Sequence, residues 1–254
     1  MPYVAPGSVI LVTGASGGIG IEIAAQAAEQ GAVVGVHGSR LESVDKAISR
    51  LKERAPKATL IPLPADFREP GAIEATIEKL VAEAGRLDAV IHCAITAAPG
   101  VTGPFLKTDP DSYGLAAQNV IALFQRLCFA SLPHLIKQGG AIVCFASDAG
   151  RFAAPRQSVL GSLYGGLFAF VRNLAMEQSR DGVRVHGISP SFVENTPIFD
   201  NIALHAGRAE AARKRAGLGL PSPKDIAPMA LFLTGPDSAK ITGQIISING
   251  GLNA

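Results

Sequence analysis

Seven apolar runs that favour β-strands alternate with helical patterns along almost the whole chain. These runs are Val9–Thr13, Val33–His37, Thr59–Leu63, Ala89–Cys93, Ala141–Ala146, Val183–Ile188 and Ile245–Ile248. Most of them lack alternation of apolar and polar residues, as expected for parallel strands that helices cover on both faces. Such regular alternation predicts right-handed βαβ crossovers, so the expected fold class is α/β, with one doubly wound parallel sheet of Rossmann type.

The helical patterns lie at Ile19–Gln30, Arg40–Arg54, Pro70–Ala84 and Leu163–Ser179. Thr108–Asp111 reads as a capping box that opens a further helix near Asp111. No repeat, low-complexity tract or linker divides the chain, so we expect residues 1–254 to form a single domain. The irregular segment Ser191–Pro223 holds a short helical piece around Ala206–Ala216 and follows a strand, where we expect a lid over a ligand site.

The composition excludes several classes of protein. Hydrophobic residues make up 48% of the 254 positions and charged residues 17%, which is too apolar for a disordered chain. The formal net charge is +2, and the one basic run is Arg213–Arg215. This triplet is typical of a solvated helix face, whereas nucleic-acid-binding proteins carry broader basic stripes. We therefore expect a small-molecule substrate and no nucleic-acid partner.

The cysteines and the N-terminus indicate a cytoplasmic protein. Cys93, Cys128 and Cys144 show no CxxC spacing and lie in apolar stretches, which favours buried, reduced thiols and no metal site. The N-terminus has no signal-peptide pattern. The least polar stretch, Ser158–Val171, is too short to cross a bilayer, so no membrane association is expected.

A glycine-rich turn follows the first predicted strand and opens the first helix. It reads Thr13-Gly14-Ala15-Ser16-Gly17-Gly18-Ile19-Gly20. Small residues let the backbone approach a pyrophosphate, and the free N–H groups of the helix start attract its charge. A tight structural turn is the alternative, but strand, turn, helix and next strand follow in the order of a dinucleotide site. The predicted cofactor contacts here are Gly14, Ser16, Gly18, Ile19 and Gly20.

The end of the second strand indicates which dinucleotide is bound. An acid there suits the ribose 2′-hydroxyl of NAD, whereas an arginine suits the 2′-phosphate of NADP. The chain reads His37-Gly38-Ser39-Arg40, so we predict NADP(H) in preference to NAD(H), with Ser39 and Arg40 at the phosphate. A solvated arginine in the first turn of a helix is the alternative. Asp66 and Phe67, after the third strand, are placed to meet the adenine, with a helix N-cap as the competing role of Asp66.

These features resemble the short-chain dehydrogenase/reductase family, and the resemblance runs from about Ser8 to Gly251. Thr13–Gly20 matches the family's TGxxxGxG turn. The other matches are Asp66 for the adenine-contacting aspartate, Leu87–Ile91 for the strand before the NNAG motif, Asn119 for the active-site asparagine, Ser147 within Ile142–Gly150 for the catalytic serine, Pro190 for the corner at the nicotinamide, and Ile241–Gln244 with Asn249–Gly251 for the C-terminal signature. The resemblance further implies cofactor contacts at Cys93, Ala94, Pro190 and Val193, and a homo-oligomer, most often a tetramer.

The chain departs from the family at several motifs. NNAG is replaced by His92-Cys93-Ala94-Ile95, and the PG corner by Pro190-Ser191. Segments on either side align without gaps and put Leu160 at the tyrosine and Tyr164 at the lysine of the catalytic YxxxK motif. In the family that tyrosine is the general acid/base and the lysine lowers its pKa. Leucine has no proton to give, so an unmodified family mechanism is expected to be impaired.

We therefore predict an atypical active site. Its predicted catalytic residues are Ser147, Tyr164 and Asn119. The alternative for Tyr164 is a packed aromatic whose hydroxyl only touches the cofactor ribose. Asp148 and Arg156 are weaker candidates for the acid. His92 and His186 are interpreted as hydrogen-bonded core histidines rather than proton carriers.

Three functions stay open at this point. We favour an NADP-dependent oxidoreductase that acts on a carbonyl or alcohol substrate. A cofactor-binding protein without catalytic activity and a redox-neutral lyase or isomerase are the alternatives. The intact glycine turn and Arg40 favour a retained dinucleotide. The helix around Val159–Val171 is apolar on more than one face, which is consistent with burial between subunits.

Overall fold

The carboxyl ends of seven parallel strands form one edge of a sheet, and most of the predicted site residues lie at or just after these strand ends. The computed structural model describes residues 2–94, 99–197, 199–200 and 207–253. Its strands are β1 Val9–Thr13, β2 Val33–Gly38, β3 Leu60–Pro64, β4 Ala89–His92, β5 Gly140–Phe145, β6 Val183–Pro190 and β7 Ile245–Ile248. They form one sheet in the order β3-β2-β1-β4-β5-β6-β7, and every neighbouring pair is parallel. The predicted fold class is confirmed.

Helices cover both faces of this sheet. They are α1 Gly18–Glu29, α2 Leu41–Arg54, α3 Ala72–Ala84, α4 Tyr113–Ala117, α5 Leu123–Leu135, α6 Ser158–Gln178, α7 Arg208–Arg215 and α8 Pro223–Thr234. One core cluster lies between the sheet and α3, α5 and α6, and a second lies between the sheet and α1, α2 and α8. The strand order reverses between β1 and β4, and in open α/β sheets this switch point opens a ligand crevice at the carboxyl ends.

One predicted helix start is wrong, whereas the start predicted near Asp111 is confirmed by a helical stretch that begins at Pro110, although its predicted cap is not. The helix predicted at Leu163–Ser179 begins five residues earlier, at Ser158. Glycines lower helix propensity here, but a Cβ at Gly161 would lie 2.8 Å from the Ala149 carbonyl oxygen, so close packing requires the small residue. The capping box at Thr108–Asp111 is not formed. Asp109 accepts instead from the Asp111 N–H at 3.1 Å and caps a 3₁₀ turn before α4.

The length argument against a membrane span is also wrong. The helical stretches Pro110–Leu135 and Ser158–Asp181 are 26 and 24 residues long, and both are apolar enough to cross a bilayer by length and composition. In the fold both contribute to the core between α5, α6 and the sheet, where Phe124 and Phe168 are among the largest fully buried side chains.

The cysteines are free thiols, as predicted. Cys128 and Cys144 are buried, and burial raises the pKa of the Cys144 thiol to about 12. Cys93 differs from the prediction, because β4 ends at His92 and the Cys93 side chain is partly exposed beyond the strand.

Candidate active site

The glycine-rich turn lies at the end of β1, against the segment that follows β4. A Cβ at Gly14 would lie 2.9 Å from the Ala94 backbone nitrogen, and a Cβ at Gly20 would lie 2.3 Å from the Gly14 carbonyl oxygen. Both positions therefore require glycine. Gly17 caps α1 without a side-chain hydrogen bond, and no acid lies in the first turn. A Cβ at Gly17 or Gly18 would meet no atom within 4 Å, so the protein leaves open space beside this uncapped helix start.

His37, which the sequence analysis did not place in the site, joins this turn to the end of β3. Its Nδ1 accepts from the Gly14 N–H at 3.4 Å, and its Nε2 bonds to the Ala65 carbonyl at 3.0 Å. The imidazole also stacks on Phe67, with ring centroids 3.9 Å apart. Burial lowers the pKa of His37 to about 4, so the ring is neutral at pH 7 and accepts on one nitrogen while donating on the other.

The end of β2 carries a glycine where an acid would suit NAD, and its surroundings are tight. A Cβ at Gly38 would lie 3.1 Å from the Val44 Cγ2 atom and 3.2 Å from the Ser16 hydroxyl oxygen. Ser39 and Arg40 follow and are exposed. Arg40 is the N-cap residue of α2, with extended backbone at φ −138°, so it lies one residue before the helix rather than in its first turn. Its guanidinium forms none of the ion pairs that the structure shows among its described residues.

Asp66 lies just after β3 and is held by Arg68. Its carboxylate accepts from the Arg68 backbone N–H at 3.0 Å and from the guanidinium Nε at 2.9 Å. These hydrogen bonds hold the pKa of Asp66 below its ordinary value. The competing N-cap role is wrong, because α3 begins at Ala72 and is capped by Gly71. The Asp66 side chain keeps 27% of its surface exposed at this end of the sheet.

Ser147 follows β5 with its hydroxyl hydrogen available. The Oγ atom accepts from the Ala149 N–H at 3.3 Å and caps the 3₁₀ turn Asp148–Gly150. Because the oxygen only accepts in this contact, the O–H can donate to a ligand oxygen. Asp148 is 2% exposed, and its carboxylate accepts four side-chain hydrogen bonds. A carboxylate occupied in this way is not an available acid, so Asp148 is removed from the candidates.

Leu160 and Tyr164 lie one turn apart on α6 and pack against the segment that follows Ser147. A Cβ at Gly150 would lie 2.7 Å from the Tyr164 Cβ, which shows how closely the two segments approach. Leu160 is 6% and Tyr164 8% exposed. Burial raises the pKa of Tyr164 to about 12, with no contribution from a hydrogen bond to the described residues.

Asn119 lies in a π-helical turn, Gln118–Ala122, between α4 and α5. Its side chain is 6% exposed, and its Oδ1 has no hydrogen-bond partner among the described residues. Single π turns inside α-helices frequently mark functional sites. The sequence analysis identified Asn119 by resemblance alone, since no local pattern predicts a π turn.

The two strand histidines behave differently from each other. His92 bonds through Nδ1 to the Thr13 hydroxyl at 2.8 Å, whereas its Nε2 has no partner in the described structure. His186 is fully buried, as expected of a core histidine, and the Ile241 backbone is near enough to raise its pKa, although neither ring nitrogen has a partner within hydrogen-bond geometry among the described residues. Burial lowers the pKa of His92 to about 3 and that of His186 to about 4. Both rings are neutral at pH 7.

The remaining predicted contacts lie along the same edge. Pro190 ends β6, two residues later than the predicted strand, and pairs with Ile248. The Val193 side chain is 7% exposed and packs in the core cluster beside α1, α2 and α8. Arg156 is exposed in the loop before α6, with φ 74°. Ile95, which takes the last position of the NNAG motif, lies outside the described residues.

The predicted lid is described only in part. The helix expected around Ala206–Ala216 is observed as α7, whereas residues 198 and 201–206 lie outside the described structure. Arg213 of α7 forms an ion pair with Glu194 at 2.7 Å, and the Glu194 N–H donates to the Pro221 carbonyl at 2.9 Å. These contacts connect the beginning of the segment to its end.

Comparison with known proteins extends over nearly the full chain. Residues 14–253 match the family model described as enoyl-(acyl carrier protein) reductase. Nodulation protein G of a Rhizobium species is 29% identical over 251 residues, covering 97% of each chain. The 3-oxoacyl-[acyl-carrier-protein] reductase FabG of Thermotoga maritima is 29% identical over 251 residues, covering 97% of this chain and 98% of its own.

The fold is shared with solved structures as well. A dehydrogenase/reductase from Sinorhizobium meliloti matches with a TM-score of 0.89 and 25% identity, covering 100% of this chain and 98% of that one. The family model covers residues 14–253 and the solved structure covers the whole chain, so both include the seven-stranded sheet and the glycine turn. The chain therefore belongs to the short-chain dehydrogenase/reductase family and is an oxidoreductase.

Proposed function

We propose that this protein is an NADP(H)-dependent oxidoreductase that acts on a carbonyl or alcohol substrate through an atypical active site. The observation that carries the proposal is the uncapped glycine turn, followed one strand later by exposed Arg40 and no acid. Solved neighbours include an actinorhodin polyketide ketoreductase with NADPH and a 7α-hydroxysteroid dehydrogenase with NADH. The preference for NADP(H) therefore rests on the residues of this chain.

The cofactor would be held along the carboxyl edge of the sheet. The proposed contacts are Gly14, Ser16, Gly18, Ile19, Gly20, Ser39, Arg40, Asp66, Phe67, Cys93, Ala94, Tyr164, Pro190 and Val193. When bound, a nicotinamide dinucleotide supplies or accepts a hydride. The glycine turn offers N–H groups to the pyrophosphate, and the Arg40 guanidinium offers a forked donor to a 2′-phosphate.

Ser147, Asn119 and Tyr164 handle the substrate oxygen in this proposal. The Ser147 hydroxyl donates a hydrogen bond that polarises a carbonyl. Leu160 carries no proton, so the acid is Tyr164, one helical turn or about 6 Å further along α6. With a pKa of about 12 the phenol remains protonated at pH 7. It therefore gives a proton to a developing alkoxide but accepts one from an alcohol poorly, and this favours reduction.

The proposed activity is tested by following the oxidation of NADPH with a panel of aldehydes and ketones. We expect slow turnover with a narrow range of substrates, and Ser147→Ala serves as the control for a reaction at this site. Tight NADPH binding without turnover of any carbonyl would favour the alternative of a non-catalytic cofactor-binding protein. Conversion of a substrate with no change in nicotinamide absorbance would favour a lyase or isomerase.

NADPH is expected to bind more tightly than NADH, and Arg40→Ala should remove most of that difference. A charge-assisted, forked pair with phosphate is worth roughly 1.5–3 kcal/mol, so NADPH affinity should fall about 10- to 100-fold while NADH affinity stays nearly constant. Fluorescence titration of both cofactors measures this. Arg50→Ala, an exposed arginine further along α2, is the matched control and should change neither affinity. Equal affinities in the native protein would contradict the preference.

We also propose that the protein is a soluble, cytoplasmic homo-oligomer with a small-molecule substrate, a lid at residues 191–223, and no membrane or nucleic-acid partner. A tetramer is what the family resemblance implies, and a dimer is the alternative. Large apolar side chains on the sheet-distant faces of α5 and α6 support association, since Phe129 is 81% and Met176 79% exposed. Light scattering measures the subunit number directly.

A further inference from the structure

Asp148 is a buried anion with a full set of hydrogen-bond donors. Its Oδ1 accepts from the Ser189 hydroxyl at 2.6 Å and from the Ser247 hydroxyl at 2.7 Å. Its Oδ2 accepts from the Asn249 amide at 2.5 Å and from the Asn253 amide at 3.3 Å. Four donors stabilise the ionised carboxylate without neutralising it, because none of them carries a charge.

This carboxylate joins three strand ends that surround the proposed reaction centre. Asp148 directly follows Ser147 at the end of β5. Ser189 belongs to β6 and directly precedes Pro190, and Ser247 belongs to β7. A unit of negative charge is therefore buried between the proposed catalytic serine and the proposed nicotinamide corner.

Among the described residues, one arginine is linked to this carboxylate through a hydrogen-bonded serine. The nearest cation in this hydrogen-bond network is Arg151, whose Nη1 donates to the Ser247 hydroxyl at 2.8 Å. Arg151 is exposed, so water screens its charge more than that of buried Asp148. Position 164, where the family resemblance implies a lysine, holds a neutral tyrosine.

We propose that Asp148 strengthens binding of the oxidised nicotinamide relative to the reduced one. The oxidised ring carries a positive charge and the reduced ring is neutral, so a fixed anion nearby attracts only the oxidised form. Transfer of a hydride from the reduced ring to a carbonyl carbon leaves the ring oxidised, and the carbonyl oxygen takes a proton to become the alcohol. Asp148 thus favours carbonyl reduction. The inference rests on the proposed function, because it requires a nicotinamide at Pro190.

The test compares the dissociation constants of NADP⁺ and NADPH in the native protein and in Asp148→Asn. The substitution removes the charge but keeps the shape, since the two serine hydroxyls can turn to accept from the new amide while its carbonyl accepts from Asn249 and Asn253. We expect NADP⁺ affinity to fall about 4- to 15-fold relative to NADPH, the order of magnitude for the loss of one unit charge at an effective dielectric constant of ~20–40. A loss of the network alone would weaken both cofactors together.

Arg151→Gln is the second variant and acts from an exposed side chain. It removes an opposing positive charge, so the relative affinity for NADP⁺ should rise, by about twofold because of screening. If Asp148→Asn does not fold, the ratio of the NADP⁺ and NADPH dissociation constants in Arg151→Gln tests the inference instead. An unchanged ratio of the two dissociation constants, with both cofactors bound, overturns the inference and leaves the proposed function intact. Failure of the native protein to bind either cofactor refutes the proposed function itself.

Discussion

Replacing Tyr164 with phenylalanine is expected to lower turnover on an accepted carbonyl by about 10²–10⁴-fold, the usual contribution of general acid catalysis. The hydroxyl is the group that this substitution removes, and no described residue depends on it for a hydrogen bond. The ring itself stays in its packed position between α6 and the turn after β5. NADPH affinity should change far less than turnover, because Tyr164 is only one of many proposed cofactor contacts and keeps its ring, so the loss appears in kcat rather than in binding.

The matched substitution is Tyr113→Phe, which removes a phenol hydroxyl from α4 that bonds to Thr108 at 2.6 Å. It should leave turnover close to the native rate, because that hydroxyl already has a partner outside the proposed acid position. An unchanged rate in Tyr164→Phe would remove Tyr164 from the chemistry. The double variant Leu160→Tyr with Tyr164→Lys then becomes informative. If only this variant reduces a generic ketone, the natural protein is a cofactor-binding protein that has lost its acid.

Acidification from pH 6.5 to 4.5 is expected to lower the free energy of unfolding by about 6 kcal/mol through three buried histidines. Burial lowers the pKa of His37 to about 4, that of His92 to about 3 and that of His186 to about 4. The unfolded chain restores ordinary values near ~6.5. Between the folded and unfolded pKa values the unfolded chain binds more protons than the folded protein. The free energy of unfolding therefore falls as the pH falls, and the histidines cause almost no loss above about pH 6.5.

The expected loss is large against the ~5–15 kcal/mol by which a typical domain is stable. Urea denaturation at a series of pH values measures it. His186→Leu is the sharpest variant, because neither nitrogen of His186 has a partner to lose in the described structure. It should reduce the pH dependence by roughly one third, since each histidine contributes about 1.4 kcal/mol per pH unit in this range. The same slope in His186→Leu and native protein would show that the acid sensitivity has another source.

His37 connects this acid sensitivity to the cofactor site. Protonation of Nδ1 removes the lone pair that accepts the Gly14 N–H, so the link between the glycine turn and β3 is broken at low pH. Loss of stability and loss of the proposed cofactor site therefore share one group.

Local patterns in the sequence were sufficient for the sheet, the glycine turn and the absence of an acid after β2. Strand periodicity, glycine spacing and the order of strands and helices are set by residues that are close together in the chain. Each can therefore be recognised within one helix or strand and the loop that follows it. The ordered matches to a known family identified Ser147 and Asn119 as site residues. They also showed that Leu160 and Tyr164 replace the family's tyrosine and lysine, and the roles of these residues remain proposals.

Other features depended on residues that are far apart in the chain. The partners of Asp148 lie 41 to 105 residues away, and those of His37 lie on the glycine turn and after β3. Only folding places these groups within hydrogen-bond distance of each other. The early start of α6 likewise depends on its contact with the turn after β5, because tertiary packing there outweighs the low helix propensity of glycine. Sequence periodicity therefore determined the architecture, whereas long-range contacts decided the charge and the hydrogen bonds of the site.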